Sequence, residues 1–201
     1  VSADAPRWQV YQPVDPAAPA ALRRRLTDAG EPYELRAHEP ARHARHLAAL
    51  WSLPLDEAIR ATLFYASPQA APPGPGSAPA AVPAPVLVLV PADRKIAAPR
   101  LRELLGAAEL RVLRADRGVG RVGWRGLPGA PGALPAVPAL FGARLLVDVL
   151  VLRHRRVVLT LEPGRSLALS PRALLRLAGG QEVSTTGRTR LLPEGGMVRD
   201  P

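Results

Sequence analysis

The sequence predicts a mixed α+β domain in which a central, mostly antiparallel sheet is flanked by helices. Three observations predict it. Helix-like and strand-like patterns alternate along the chain. Several strand-like segments are joined by short turns. One apolar run, Val86-Leu87-Val88-Leu89-Val90, has the length and β-branching of a central strand buried on both faces. The sequence shows no internal repeat.

The elements follow in order. Residues 1–18 are Pro- and Ala-rich, with Trp8 and Tyr11 as large anchors, and read as a loose leader. Pro19 to Gly30 has a helical pattern, with Pro19 in the first turn, Leu22 and Leu26 four apart, and Gly30 as a stop. Pro32 to His38 alternates apolar and polar, which predicts a half-buried strand. Ala41 to Trp51 reads as a second helix with Leu47 and Leu50 on one face, and Ala58 to Tyr65 as a strand. Residues 66–85 are almost all Ala, Pro, Gly and Ser, a composition that cannot offset its ordering entropy and so reads as an insertion lengthening a hairpin loop. After the central strand, Ala98 to Gly106 is helical and Leu110 to Leu113 a short strand. Residues 118–138 form a Gly/Pro-rich loop. Leu145–Leu152 and Arg156–Leu161 read as two strands around a tight basic turn, with Ser166–Leu169 a further strand. Ser170 as N-cap and Pro171 at the first helical position start a last helix, to Ala178. Residues 181–201 read as a flexible tail. The folded domain is thus expected over 19–180.

A chain of 201 residues, 47% of them hydrophobic, can bury a sizeable core. The 27 Lys and Arg exceed 17 Asp and Glu, and the net charge is +10. Nearly all the positive charge is Arg, whose planar fork suits phosphate, so RNA is a reasonable partner; a GC-rich genome would give the same bias. There is no cysteine, which excludes disulfides, thiol nucleophiles and Cys-bearing zinc sites. His43 and His46 are three apart on a helix, but no carboxylate completes a recognisable metal site. No apolar run approaches the ~20 residues of a membrane span, and Val1–Pro6 lacks the basic-then-apolar order of a secretion signal. The expectation is a soluble cytoplasmic protein, with neither membrane nor DNA as partner.

Several blocks resemble, in order, the YbaK/ProX-type aminoacyl-tRNA editing family. Pro32-Tyr33-Glu34 and His38-Glu39-Pro40 are similar to its opening strand and turn. Leu50-Trp51-Ser52-Leu53-Pro54 stands where the family usually reads Leu-Gly-Ile-Pro, and Ala61-Thr62-Leu63-Phe64 resembles its Lys-Thr-Leu-Leu strand. The segment Leu89 to Lys95, with Leu101 to Gly106, is similar to a strand, an acidic-basic turn and a Leu-Leu-Gly helix. Gly132-Ala133-Leu134-Pro135 resembles a Gly-x-x-Pro loop, and Leu140-Phe141-Gly142 with Leu146-Val147-Asp148 a following strand and acidic residue. Ser170 to Leu177 resembles the final helix. The likeness spans roughly residues 20–180. It departs at Trp51-Ser52, at Glu162-Pro163 and above all at Ala61, where the family usually has a pocket lysine.

The resemblance implies a domain that hydrolyses amino acids wrongly attached to tRNA, acting in trans or beside an aminoacyl-tRNA synthetase, with no metal and no cofactor. An aminoacyl ester is already activated, so a shaped pocket, a positioned water and donors aimed at the oxyanion suffice. Gly132, Ala133 and Pro135 mark a loop whose backbone N–H groups can supply those donors, or an ordinary turn. Asp148, in a very apolar stretch, belongs either at a strand edge or hydrogen-bonded in a pocket, and the resemblance favours the pocket. His38, Arg60, Thr62, Arg94 and Lys95 are the candidate contacts to the tRNA acceptor end. Strand alternation puts Arg60 and Thr62 opposite to Ala61, so Arg60 replaces the lysine only through a bulge. The basic turn Arg153-His154-Arg155-Arg156 meets phosphate or solvent, and Arg23-Arg24-Arg25 is a helix's wet face or an RNA patch. The rival expectation is a catalytically silent relative that binds tRNA or a protein partner.

Overall fold

A computed structural model describes residues 9–10, 12–68, 84–115, 123–125 and 133–190. Gly132, most of the 66–85 insertion and the chain after 190 lie outside the described residues. In chain order the elements are β1 (Gln9–Val10), α1 (Ala18–Asp28), β2 (Tyr33–Ala37), α2 (Ala44–Trp51), β3 (Ile59–Pro68), β4 (Ala84–Pro91), β5 (Arg94–Ile96), α3 (Ala98–Leu104) and β6 (Ala107–Val112). These are followed by β7 (Arg114–Ala115), β8 (Gly123–Arg125), α4 (Pro138–Phe141), β9 (Arg144–Asp148), β10 (Val157–Glu162), β11 (Arg165–Leu169), α5 (Pro171–Leu177), β12 (Gln181–Val183) and β13 (Thr186–Arg190).

The central sheet has the order β12-β9-β4-β3-β6. β3 pairs antiparallel with β4 and β6, whereas β9 runs parallel to β4 and to β12. The sheet is therefore mixed. A second, antiparallel sheet has the order β10-β11-β2, and β13 pairs with β5.

Alternation along the strands builds the layers. Ile59, Ala61 and Leu63 of β3, Leu87 and Leu89 of β4, and Leu145 and Val147 of β9 face one large apolar cluster. Val157, Leu159, Leu161, Leu167 and Leu169 of the second sheet close that cluster, together with Leu22 and Leu26 of α1 and Leu174 of α5. The opposite face of the central sheet presents Phe64, Val86, Val88, Val90 and Leu146 to Leu101 of α3. The outer face of the second sheet is covered by α2, through Leu47 and Trp51 on Val158 and Ala168. With β3, β4 and β9 each contributing buried side chains to both faces, the Val86–Val90 run is the doubly buried strand expected of it.

Several boundaries differ from the sequence expectation for local reasons. α2 begins at Ala44, not Ala41, because His43 is extended and its Nδ1 accepts from the His46 N–H at 3.0 Å, acting as the N-cap. α2 ends at Ser52, which has φ 54°, a left-handed conformation more often taken by Gly. Gly30, with φ 65°, follows the C-cap of α1 as expected. β2 is an edge strand and is less buried than its alternation implies: Tyr33 is 37% and Leu35 38% exposed. Ser170 does precede α5, but its hydroxyl makes no capping hydrogen bond.

The strand expected over Leu145–Leu152 stops at Asp148. The carboxylate accepts from the Leu150 N–H at 3.0 Å and turns the chain into a 3-10 helix, Val151–Arg153. Nor does the flexible tail begin at 181. Gln181–Val183 pairs with Leu146–Asp148, Thr186–Arg190 pairs with β5, and Thr185 is fully buried. Polar composition hid these strands because their partners lie far back in the sequence.

Candidate functional site

Ala61 occupies a row that crosses the central sheet. It pairs with Leu89, and Leu89 pairs with Val147. All three side chains enter the large apolar cluster, where they share space with Leu134 and Ala136. Ala61 is 2% exposed. The place where the resemblance expects an ammonium is thus closed by apolar atoms.

The loop after Gly132 is buried from Ala133 through Pro138. Leu134 and Ala136 reach the same cluster as Ala61, whereas Ala133 turns to the cluster formed by Leu47, Trp51, Val158 and Ala168. The Ala136 N–H donates to Thr160 O at 2.8 Å. The Ala133 and Leu134 N–H groups find no acceptor among the described residues. Buried backbone donors are nearly always paired, so two successive ones without an acceptor among the described residues are unusual.

Asp148 is not beside this loop. It follows Val147 on β9, so its side chain leaves the opposite face of the sheet, the face of Leu146. Asp148 is fully buried, and its carboxylate is occupied. Oδ2 accepts from the Thr185 N–H at 2.7 Å, the Thr185 hydroxyl at 2.9 Å and the Thr186 N–H at 3.0 Å. Oδ1 accepts from the Leu150 N–H at 3.0 Å and the Thr186 hydroxyl at 3.3 Å. This carboxylate fastens β12 and the start of β13 to the end of β9. Sequence reasoning saw the costly position of Asp148 but not Thr185 and Thr186, whose only signal was two adjacent threonines in a polar stretch.

The candidate RNA contacts fall into two places. β3 pairs with β4 in unbroken register from Ile59 to Ala66, so no bulge brings Arg60 round to the face of Ala61. Arg60 and Thr62 leave the other face. Arg60 lies near Asp93 and Arg45; burial above all, then repulsion from Arg45, pushes its pKa down against the pull of Asp93. Nε and Nη2 of Arg60 are buried and without a hydrogen-bond partner. Arg94 Nε is 3.6 Å from Asp93 Oδ2. Lys95 is exposed on β5. Arg60, Asp93 and Arg94 are thus brought together, with Arg60 on the sheet face opposite Ala61. Burying a guanidinium with unpaired N–H groups costs stability. Arg60→Met is expected to raise the unfolding free energy by on the order of 1 kcal/mol in a urea titration. A loss of that size instead would show that Arg60 holds Asp93 in place.

His38 stands apart from both groups. Its Nε2 is 2.9 Å from Ser166 Oγ, and its Nδ1 contacts the Glu39 carbonyl. The Trp51 Nε1–H also reaches Ser166 Oγ, at 2.6 Å. A carbonyl only accepts and an indole N–H only donates, so the network assigns the proton to His38 Nδ1. The Ser166 hydroxyl then donates to His38 Nε2 while accepting from Trp51. Ser166 is fully buried in mid-strand, so this arrangement locks β2, β11 and α2 together. The Arg36 guanidinium stacks on the Trp51 ring, 3.9 Å from its centroid. Ser166 went unread in the sequence; a lone hydroxyl in the apolar strand Ser166–Leu169 was the available sign.

Among the described residues, no cluster of three His, Asp or Glu side chains could hold a metal ion. No helix among them is long and apolar enough to cross a membrane.

Residues 38–177 match the aminoacyl-tRNA editing domain family, well over half of the chain. The chain belongs to that family. Solved structures share its fold. The hypothetical protein APE2540 is 21% identical with a TM-score of 0.62, covering 83% of this chain and 99% of its own. A candidate trans-editing enzyme for prolyl tRNA synthetase is 18% identical with a TM-score of 0.60, covering 86% of this chain and 98% of its own. At such identities the likeness speaks for the fold alone. No curated protein matches the chain. For this editing-domain homologue, the mixed sheet flanked by helices is accounted for by family membership; its pocket chemistry is a separate question, which turns on Ala61 and the Gly132 loop.

Proposed function

We propose that the protein is an aminoacyl-tRNA deacylase that acts in trans on mischarged tRNA in the cytoplasm. The supporting observation is the pair of N–H groups at the buried residues Ala133 and Leu134 that have no acceptor among the described residues, in a loop whose Leu134 and Ala136 join the same apolar cluster as Ala61. Such donors suit an oxyanion, which is where an ester hydrolase needs them. Water would add to the ester carbonyl carbon, placing negative charge on its oxygen. The bond to the terminal ribose oxygen would then break, and that oxygen would take a proton. The products are a free amino acid and intact tRNA. Family membership supports the reaction class, and the related candidate trans-editing enzyme is described as serving prolyl tRNA synthetase.

A second reading, a silent relative that binds tRNA or a protein partner, is favoured by the closed apolar surroundings of Ala61 and by the orientation of Asp148 away from them. A panel of mischarged tRNAs separates the two. Deacylation of at least one pairing well above the spontaneous rate is expected. Retained tRNA binding with no turnover across the whole panel would leave the silent reading.

A further inference from the structure

On the side of the molecule where β9 turns into β10, an open depression is lined by Arg153, His154, Arg155, Ser170, Arg172 and Glu182, with Val149 and Leu152 at its base. Its charge is unbalanced: three guanidinium groups face one carboxylate. Among the described residues, Arg153, Arg155 and Arg172 make no ion pair. Some other arginines are compensated: Arg36 and Arg156 share Glu34, Arg111 has Glu109, Arg165 has Glu162, and Arg176 has Glu31. Arg24, Arg25, Arg42, Arg100 and Arg102 are exposed and also make no ion pair among the described residues, but none of them adds to this depression. The three are left free together, at one place.

The backbone under them is held firmly. Val151 and Leu152 are buried in the main core, and the His154 N–H donates to Val151 O. His154 Nε2 lies 4.0 Å from Asp56 Oδ2, which ties the turn to the segment before β3. Charges presented on a fixed backbone lose less freedom on binding than charges on a mobile loop. The depression is shallow and polar, which suits a charged backbone passing over it more than an apolar ligand sinking into it.

We propose that this depression is a phosphodiester-binding subsite, in which Arg153, Arg155 and Arg172 take backbone phosphates of RNA. The proposal deepens the tRNA reading above and rests on it for the identity of the polyanion. It does not require hydrolysis. Arg forks bind phosphate oxygens bidentately, and such contacts position a nucleic acid without reading its sequence. Glu182 works against the three arginines and limits the affinity. A second depression, beside α3, carries Arg100 and Arg102 with Glu103. Its smaller excess of charge makes it the internal control.

The test is fluorescence anisotropy of a labelled, uncharged tRNA over a salt series, using the full chain. R153Q/R155Q/R172Q is expected to weaken binding at least about tenfold near 0.1 M salt and to flatten log Kd against log salt by about 2–3 units, close to 0.9 per lost contact. E182Q is expected to tighten binding by roughly two- to threefold, and R100Q/R102Q to change it less than about twofold. All substituted side chains are exposed, and a thermal melt of each variant checks the fold. Unchanged affinity and slope in the triple variant overturn the subsite, as does an equal loss in R100Q/R102Q. So does a triple variant that keeps tRNA affinity but loses binding to anionic lipid vesicles. Deacylation is measured separately on the same proteins. Turnover with an unaffected triple variant overturns the subsite and leaves the enzyme; loss of binding by the triple variant, in a wild type without turnover, upholds the subsite and removes the enzyme.

Discussion

Asp148→Ala is expected to lower the unfolding free energy by about 3–5 kcal/mol, measured by urea denaturation at neutral pH. The carboxylate is fully buried and accepts from three backbone N–H groups and two hydroxyls. Truncation leaves those donors buried and unpaired, and each such group costs about 1–3 kcal/mol before relaxation. Asp148→Asn is expected to rescue little. Both carboxylate oxygens face donors, so the amide NH2 must point at a donor whichever way it turns. Thr186→Val removes only the longest of these contacts and is expected to cost about 1 kcal/mol or less. Hydrogen exchange gives the spatial signature: in Asp148→Ala, protection should fall first at Gln181–Thr186. A loss below about 1 kcal/mol would mean that β12 is held by its ladder to β9 and not by the carboxylate.

Ala61→Lys is the second large effect. It is expected to destabilise the fold by about 3 kcal/mol or more, judged by the shift of the denaturation midpoint. Ala61 is 2% exposed, pairs with Leu89 and lies in the large apolar cluster that also holds Val147, Leu134 and Ala136. A lysine there adds volume to a filled core and takes an ammonium out of water, where burial drives its pKa down. The outcome bears on chemistry. If the lysine is tolerated within about 0.5 kcal/mol, the loop after Gly132 yields readily and a pocket opens beside Ala61. If it is not, the small side chains of Ala61 and Ala136 belong to one filled core, and a single substitution will not restore a family-like pocket.

How far the sequence carried depended on the range of the interactions. The central strand was legible because five consecutive apolar residues need burial on both faces, and β4 has it. α1 was legible through Leu22, Leu26 and Gly30, all local signals. The opposite facing of Ala61 and Arg60 followed from strand alternation alone. What the sequence concealed was mediated by distant partners. Asp148 reads as a strand-edge or pocket residue, and the resemblance favours the pocket; besides the Leu150 N–H, its donors lie at Thr185 and Thr186, in a stretch that reads as polar tail. His38 looked like a substrate contact, yet its partner, Ser166, is on a strand whose pairing with β2 no local pattern announces. The start of α2 was misplaced for the opposite reason, since a histidine N-cap is an uncommon local signal.

The pairing of β9 has a temporal side. β4 and β9 lie side by side, yet Leu89 and Val147 are separated by the whole of the intervening chain. Asp148 then waits for Thr185 and Thr186 before its charge is satisfied. Parallel pairing over long separations pays its loop entropy before contacts repay it, so assembly of this sheet is slow. During synthesis the β9 edge therefore stays open, with a carboxylate at its tip, until the last strands have emerged. That charge disfavours mispairing of an otherwise very apolar edge, so the residue that finally locks the native sheet also guards it while it is incomplete.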